Sequence, residues 1–123
     1  MLNILQSDVQ PETMVALTTK DQLKPGRIVK IILPKQPEGV GWITVKFAIC
    51  KRKFRDAVTP AEAEDITEQI TGSTEIYLPA DKEEFEVDFK VNKYYWWFVI
   101  FVKNKMTESQ FITCQVRIEN VET

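Results

Sequence analysis

The residue types that ordinarily carry chemistry are thinly spread in this sequence. Histidine, the commonest general base and metal ligand, does not occur in the 123 residues. No G-x-S-x-G, P-loop or G-x-G-x-x-G motif is present. Carboxylate pairs can serve glycoside hydrolysis, but with 18 Asp and Glu residues in the chain such pairs arise by chance. The acidic group Asp81, Glu83, Glu84 and Glu86 lacks the D-x-D-x-D-G spacing of a calcium loop and reads as a charged strand entrance. Cys50 and Cys114 form neither a C-x-x-C pair nor a disulfide framework, so they read as two buried or half-buried thiols. No zinc site is expected without histidine. The run Lys51–Arg55 (KRKFR) combines four cations with Phe54, a faint phosphate-plus-stacking pattern. The acids Glu62, Glu64, Asp65 and Glu68 that follow offset it, and a solvated loop is the simpler reading. The expectation is a chain with no catalytic residue, no metal and no cofactor.

What remains is a concentration of aromatic and β-branched residues, and the elements that would position them have the period of strands. Met14–Thr19, Arg27–Leu33, Gly41–Lys51, Thr74–Leu78, Phe85–Val91, Tyr94–Lys103 and Phe111–Glu119 are seven predicted strands separated by Pro, Gly and Asn breaks. Alternation puts Val29, Ile31 and Leu33 inward, then Ile43, Val45, Phe47 and Ile49, then Phe85, Val87, Phe89 and Val91, and finally Ile112, Cys114, Val116 and Ile118. The strand Tyr94–Lys103 (YYWWFVIFVK) is apolar on both sides. Turning Lys103 outward sends Trp96, Phe98, Ile100 and Val102 in and leaves Tyr95, Trp97, Val99 and Phe101 out. Residues 59–70 predict one short helix, with Thr59 as N-cap, Pro60 at N1, Glu62 completing a capping box and Gly72 just past the end. An extended connection with a short strand is the rival. Residues 1–13 show no clear period and predict a flexible arm, leaving 14–123 as the single domain.

Composition agrees with one ordinary folded domain. Hydrophobic residues make up 44% and charged residues 28%, with a net charge of −2. That balance lacks the basic excess of a dedicated nucleic-acid binder. The longest apolar run, Tyr94 to Val102, has nine residues, against about 20 for a membrane-spanning helix. Asp8, Gln10, Pro11 and Glu12 interrupt any signal-peptide pattern. A virion or cytoplasmic location is therefore expected, without a membrane.

The strand series 14–119 resembles an immunoglobulin-like or fibronectin type III-like sandwich. FEVDFKV, YYWWFVIFVKN and FITCQVRIEN stand where strands E, F and G would, with Tyr94 or Tyr95 at a tyrosine corner. The B–F disulfide of antibody domains is missing, and Trp42 falls on the phase opposite the core. A viral jelly roll is the alternative all-β fold. The resemblance implies an all-β, antiparallel, seven-stranded sandwich in which C, F and G share a sheet. Its outer face would then gather Trp42, Tyr95, Trp97, Val99, Phe101 and Phe111 into one apolar surface too large to leave wet. Either segment 59–70 or the N-terminal arm covers it, or a partner does. The expected function is a non-enzymatic interaction module, with a neighbouring subunit or a second copy as partner. By fold analogy the concrete form is a bacteriophage virion accessory protein, either a capsid decoration protein or a tail or baseplate adaptor. The rivals are a carbohydrate-binding module using Trp42, Trp97 and Phe101 as a platform, and a small inhibitor of a host enzyme.

Overall fold

A computed structural model describes residues 2–25, 27–51, 60–79, 84–90 and 96–120; for Pro60, 84–90 and Asn120 only the backbone is described. The chain is an all-β antiparallel sandwich of two sheets with one short helix. Nine strands are found among the described residues: β1 (Leu2–Val9), β2 (Met14–Thr18), β3 (Arg27–Pro34), β4 (Ile43–Cys50), β5 (Glu64–Asp65), β6 (Ile76–Tyr77), β7 (Glu84–Lys90), β8 (Trp97–Asn104) and β9 (Gln110–Asn120). One sheet runs β1-β9-β3-β7; the other runs β2-β8-β4-β5, with β6 also on β4.

The pairing has a simple logic. β1 pairs with β9, β2 with β8, β3 with β7, and β4 with β5 and β6. These pairs nest, as in one long hairpin folded at the connection after β4. Rolling that hairpin brings β9 against β3 and β8 against β4 as well. A rolled hairpin of this kind is the jelly-roll arrangement, the alternative named above. An immunoglobulin-like G strand would lie beside F. Here β9 lies in the opposite sheet from β8, so the predicted C-F-G sheet does not exist.

The inward phases agree with the alternation. Val29, Ile31, Leu33, Ile43, Val45, Phe47, Ile49, Phe98, Ile100, Val102, Ile112, Cys114, Val116 and Ile118 form one buried core between the sheets. Phe47 and Phe98 meet there with ring centroids 6.0 Å apart. The register sets Phe85, Val87 and Phe89 opposite Leu33, Ile31 and Val29. Trp96 packs on the edge of this core, bridged to Leu23, with the Lys51 ammonium 5.6 Å above its ring.

Two predicted elements are corrected. Residues 2–9 are not a flexible arm but a full edge strand. Their period was hidden because β1 inverts the usual pattern: Leu2 and Ile4 face out, while Asn3 is buried. Burial of that amide is tolerated because both its ends are bonded. Nδ2 donates to Asp21 (3.0 Å), and Oδ1 accepts from the Lys20 backbone N–H (2.9 Å).

The second correction concerns the predicted helix 59–70. Thr59 lies outside the described residues; the remainder is a 3-10 turn at Pro60–Glu62, then β5, then helix α1 over Thr67–Thr71. The free edge of β4 claims the middle of the segment. Glu64 and Asp65 pair with Ile49 and Ala48, and the Ile66 N–H reaches the Phe47 carbonyl at 2.9 Å. Thr67 then takes the next rung with its side chain. Its Oγ1 accepts from the Phe47 N–H (2.8 Å) and donates to the Phe47 carbonyl (3.1 Å). The C-terminal signal holds: Gly72 adopts φ 79° and closes the helix onto Glu68.

A candidate interaction end of the sandwich

The six residues expected to share one sheet face are dispersed. Tyr95, like Tyr94, lies outside the described residues. Trp97, Val99 and Phe101 do point to the outer side of β8, but Val99 is fully buried and Phe101 is only 4% exposed. They form a second apolar cluster with Ala48 and Cys50 of β4. Ala16, Ala63 and the half-buried Trp97 pack against it. Ala63 belongs to the 60–66 connection, so the chain itself contributes the cover. Phe111 sits on β9, opposite Asp8 of β1, on the outer side of the other sheet. Of the expected sugar platform, Phe101 is buried, Trp97 half-buried and Trp42 exposed. Of the KRKFR run, only Lys51 is described.

The exposed members lead elsewhere. Trp42 is 46% exposed and Phe111 59%. Trp42 immediately precedes the start of β4, and Phe111 is at the start of β9. Asn104, which pairs with Ile43, ends β8; Val9, which pairs with Gln110, ends β1. Both residues therefore sit at the same end of the sandwich, on opposite faces. Met14, Val40 and Tyr77 are also exposed large apolar residues, and all three belong to this end. Met14 pairs with Lys103 and Tyr77 with Thr44, both in rungs next to it. Trp42 and Tyr77 touch edge to face, with centroids 6.4 Å apart and planes at 73°. An aromatic pair of this geometry contributes about 0.5–1.5 kcal/mol beyond area burial, which here fixes the orientation of two rings that remain wet.

The loops carrying these side chains are firmly held. Asn104 is fully buried at their centre. Its Nδ2 donates to the carbonyls of Val9 (2.8 Å) and Glu108 (3.0 Å), and its Oδ1 accepts from the Met106 N–H (2.7 Å). Its backbone binds Glu12 and Thr13 of the β1–β2 turn. The Lys105 and Thr107 N–H groups donate to the carbonyls of Trp42 (2.8 Å) and Val40 (3.1 Å), joining the two long loops. Gln36 caps the start of β4 through the Ile43 N–H at 3.0 Å. Gly41 makes the close approach possible. Its φ is +105°, and a Cβ there would run into the Lys105 carbonyl oxygen. A shallow cleft of about 170 Å³ between the loops is lined by Gly39, Val40, Met106, Thr107, Glu108 and Gln110.

No known protein family matches this chain, and no curated protein matches it. Among the described residues there is no cluster of His, Cys, Asp or Glu able to hold a metal, and no helix is long and apolar enough to cross a membrane. Cys114 lies between the sheets and Cys50 beneath the outer cluster. Burial pushes the Cys114 thiol up to about 12, far from nucleophilic use at neutral pH. What this end can do chemically is present apolar and aromatic surface on a rigid frame. Sequence reasoning found Trp42 and Phe111 but missed Met14, Val40 and Tyr77. The signal available was the loop Pro37–Gly41, whose two glycines announce a tight bend just before Trp42.

Proposed function

We propose that this protein is a non-catalytic interaction module that docks a neighbouring protein subunit through the loop end bearing Trp42 and Tyr77. The observation that carries the reading is the exposed, edge-to-face Trp42–Tyr77 pair on loops fixed by Asn104 and Gly41. Aromatic anchors dominate interface energies, and pre-ordered loops lower the entropic cost of docking. Rings 73° apart do not form one flat platform, and the neighbouring exposed side chains Met14 and Val40 cannot hydrogen-bond sugar hydroxyls. A protein surface suits them better than a glycan. A virion accessory role, in capsid decoration or as a tail or baseplate adaptor of a bacteriophage, is the concrete form of the proposal. It rests on the frequency of jelly-roll sandwiches in viral capsids and is fold-level analogy.

The test is incorporation into purified particles. Trp42→Asp and Tyr77→Asp are expected to weaken incorporation at least roughly thirtyfold, as loss of an interface anchor does, while unfolding in urea stays cooperative and loses no more than the roughly 0.5–1.5 kcal/mol of the ring pair. Incorporation unchanged in the double variant rejects the reading. A quench of Trp42 fluorescence on adding soluble glycans, with no particle binding, replaces it by the carbohydrate one.

A further inference from the structure

The loop end that Trp42 and Tyr77 occupy also carries a charge that the fold does not use. Met14 pairs with Lys103, Lys103 with Thr44, and Thr44 with Tyr77. Residues directly opposite in antiparallel strands share a face, so this rung lies on the outer side of the β2-β8-β4 sheet. Two residues further along, the Lys105 N–H donates to the Trp42 carbonyl at 2.8 Å. That bond continues the ladder and keeps Trp42 on the same face, against Tyr77. Three lysines mark this face: Lys46, opposite Phe101, then Lys103, then Lys105. Lys46 pairs with Asp65 at 3.8 Å, and Lys105 with Glu12 at 3.4 Å. Lys103 differs. It stands half-buried between the exposed Met14 and the Thr44–Tyr77 side of the rung. Among the described residues no carboxylate comes within ion-pair distance of its ammonium.

We infer that the docked partner segment presents a carboxylate to Lys103, with an apolar side chain beside it on the Trp42–Tyr77 pair. The inference rests on the docking reading above and adds the partner's chemistry. A half-buried ammonium has already lost part of its hydration on folding. An incoming carboxylate therefore meets a smaller remaining desolvation cost there than at a fully wet lysine. Met14 and Tyr77 on either side keep water from the pair once the segment is seated, which strengthens it. One uncompensated cation on this face matches one negative charge. A phosphate, with nearly two, would call for a second free cation, and Lys46 and Lys105 are already paired. A uniformly anionic surface fits no better. Glu12, Glu38, Glu75 and Glu108 are exposed around the same end and would face its charges. A single placed carboxylate avoids them, whereas a bilayer or a nucleic-acid backbone does not.

Selection of a random peptide library on the immobilised full chain tests the inference. The wild-type bait is expected to enrich peptides with Asp or Glu close to an aromatic or aliphatic side chain, and a Trp42→Asp bait to lose them. Lys103→Glu should turn the preference to Lys or Arg at the same place. For an enriched peptide followed by fluorescence anisotropy, Lys103→Gln should weaken binding roughly tenfold, as loss of a charged hydrogen bond does. Changing the peptide's acid to its amide should cost the same with wild type and nothing further with Lys103→Gln. Cooperative urea unfolding verifies each bait, and Lys103→Gln carries the test should Lys103→Glu unfold. Enriched peptides without an acid, or a preference that Lys103→Glu does not turn, overturn the inference and leave the docking site in place. No enrichment over the Trp42→Asp bait overturns it too, while particle incorporation judges the docking reading separately. Sedimentation with phosphatidylserine vesicles that Trp42→Asp abolishes would replace the acidic protein segment by a membrane.

Discussion

The outer faces of the two sheets have opposite characters. On the β2-β8-β4 sheet, Val99, Phe101, Ala48 and Cys50 are buried beneath the chain's own cover, which includes Ala63. On the β1-β9-β3 sheet, Lys30 and Arg117 share Glu119 at 3.7 and 3.8 Å, and Phe111 stands among polar neighbours, largely wet. An apolar stripe on the outside of a strand is thus an invitation that the same chain can accept. A single exposed aromatic elsewhere says more about partners than a whole greasy face does. The connection after β4 makes the difference, because it pairs with the β4 edge and lays Ala63 over the cluster.

Substitutions on the two faces should separate accordingly. Phe101→Asp buries a carboxylate in the covered cluster and is expected to cost at least about 4 kcal/mol in urea unfolding. A loss near 1 kcal/mol would mean that the cover opens freely and the contrast is false. Next comes alkaline pH. An unfolded thiol titrates near 8.5, whereas Cys114 in the folded core stays protonated to about 12. Its stabilisation is complete below the lower value. It is then lost at about 1.4 kcal/mol per pH unit as pH rises towards the upper one, because only the unfolded chain releases the proton there. The pH slope of Cys114→Ala should be shallower than wild type by that amount. Thr67→Val removes the hydroxyl that closes the Phe47 rung and should cost about 2 kcal/mol. It should also speed reaction of Cys50 with thiol reagents more than that of Cys114, since it loosens the cover and not the core. Phe111→Asp is the smallest effect, within about 0.5 kcal/mol.

Much of the fold could be read from residues whose alternation is strict. β3, β4, β8 and β9 bury the side chains that alternation sends inward, because a two-residue period leaves each apolar side chain one choice of face. β1 could not be read that way. Its inward amide is satisfied by Asp21 and Lys20, partners that local sequence does not announce. Segment 60–71 carries a helix-start motif, but the vacant edge of β4 offers it backbone bonds that no local signal reveals. The candidate site was half legible. Trp42 was flagged by its phase, and Phe111 was flagged for a sheet it does not share. β9 is placed in its layer by pairing with both β3 and β1, long-range pairings that local alternation does not announce, and this displaced the expected surface.

The nested pairing also sets an order in time. A ribosome finishes the β2-β8-β4 lanes when it reaches Asn104, but β1 and β3 receive their shared neighbour only with Gln110–Asn120. At ordinary translation speeds those events lie roughly one to three seconds apart. During that interval β1 waits for β9.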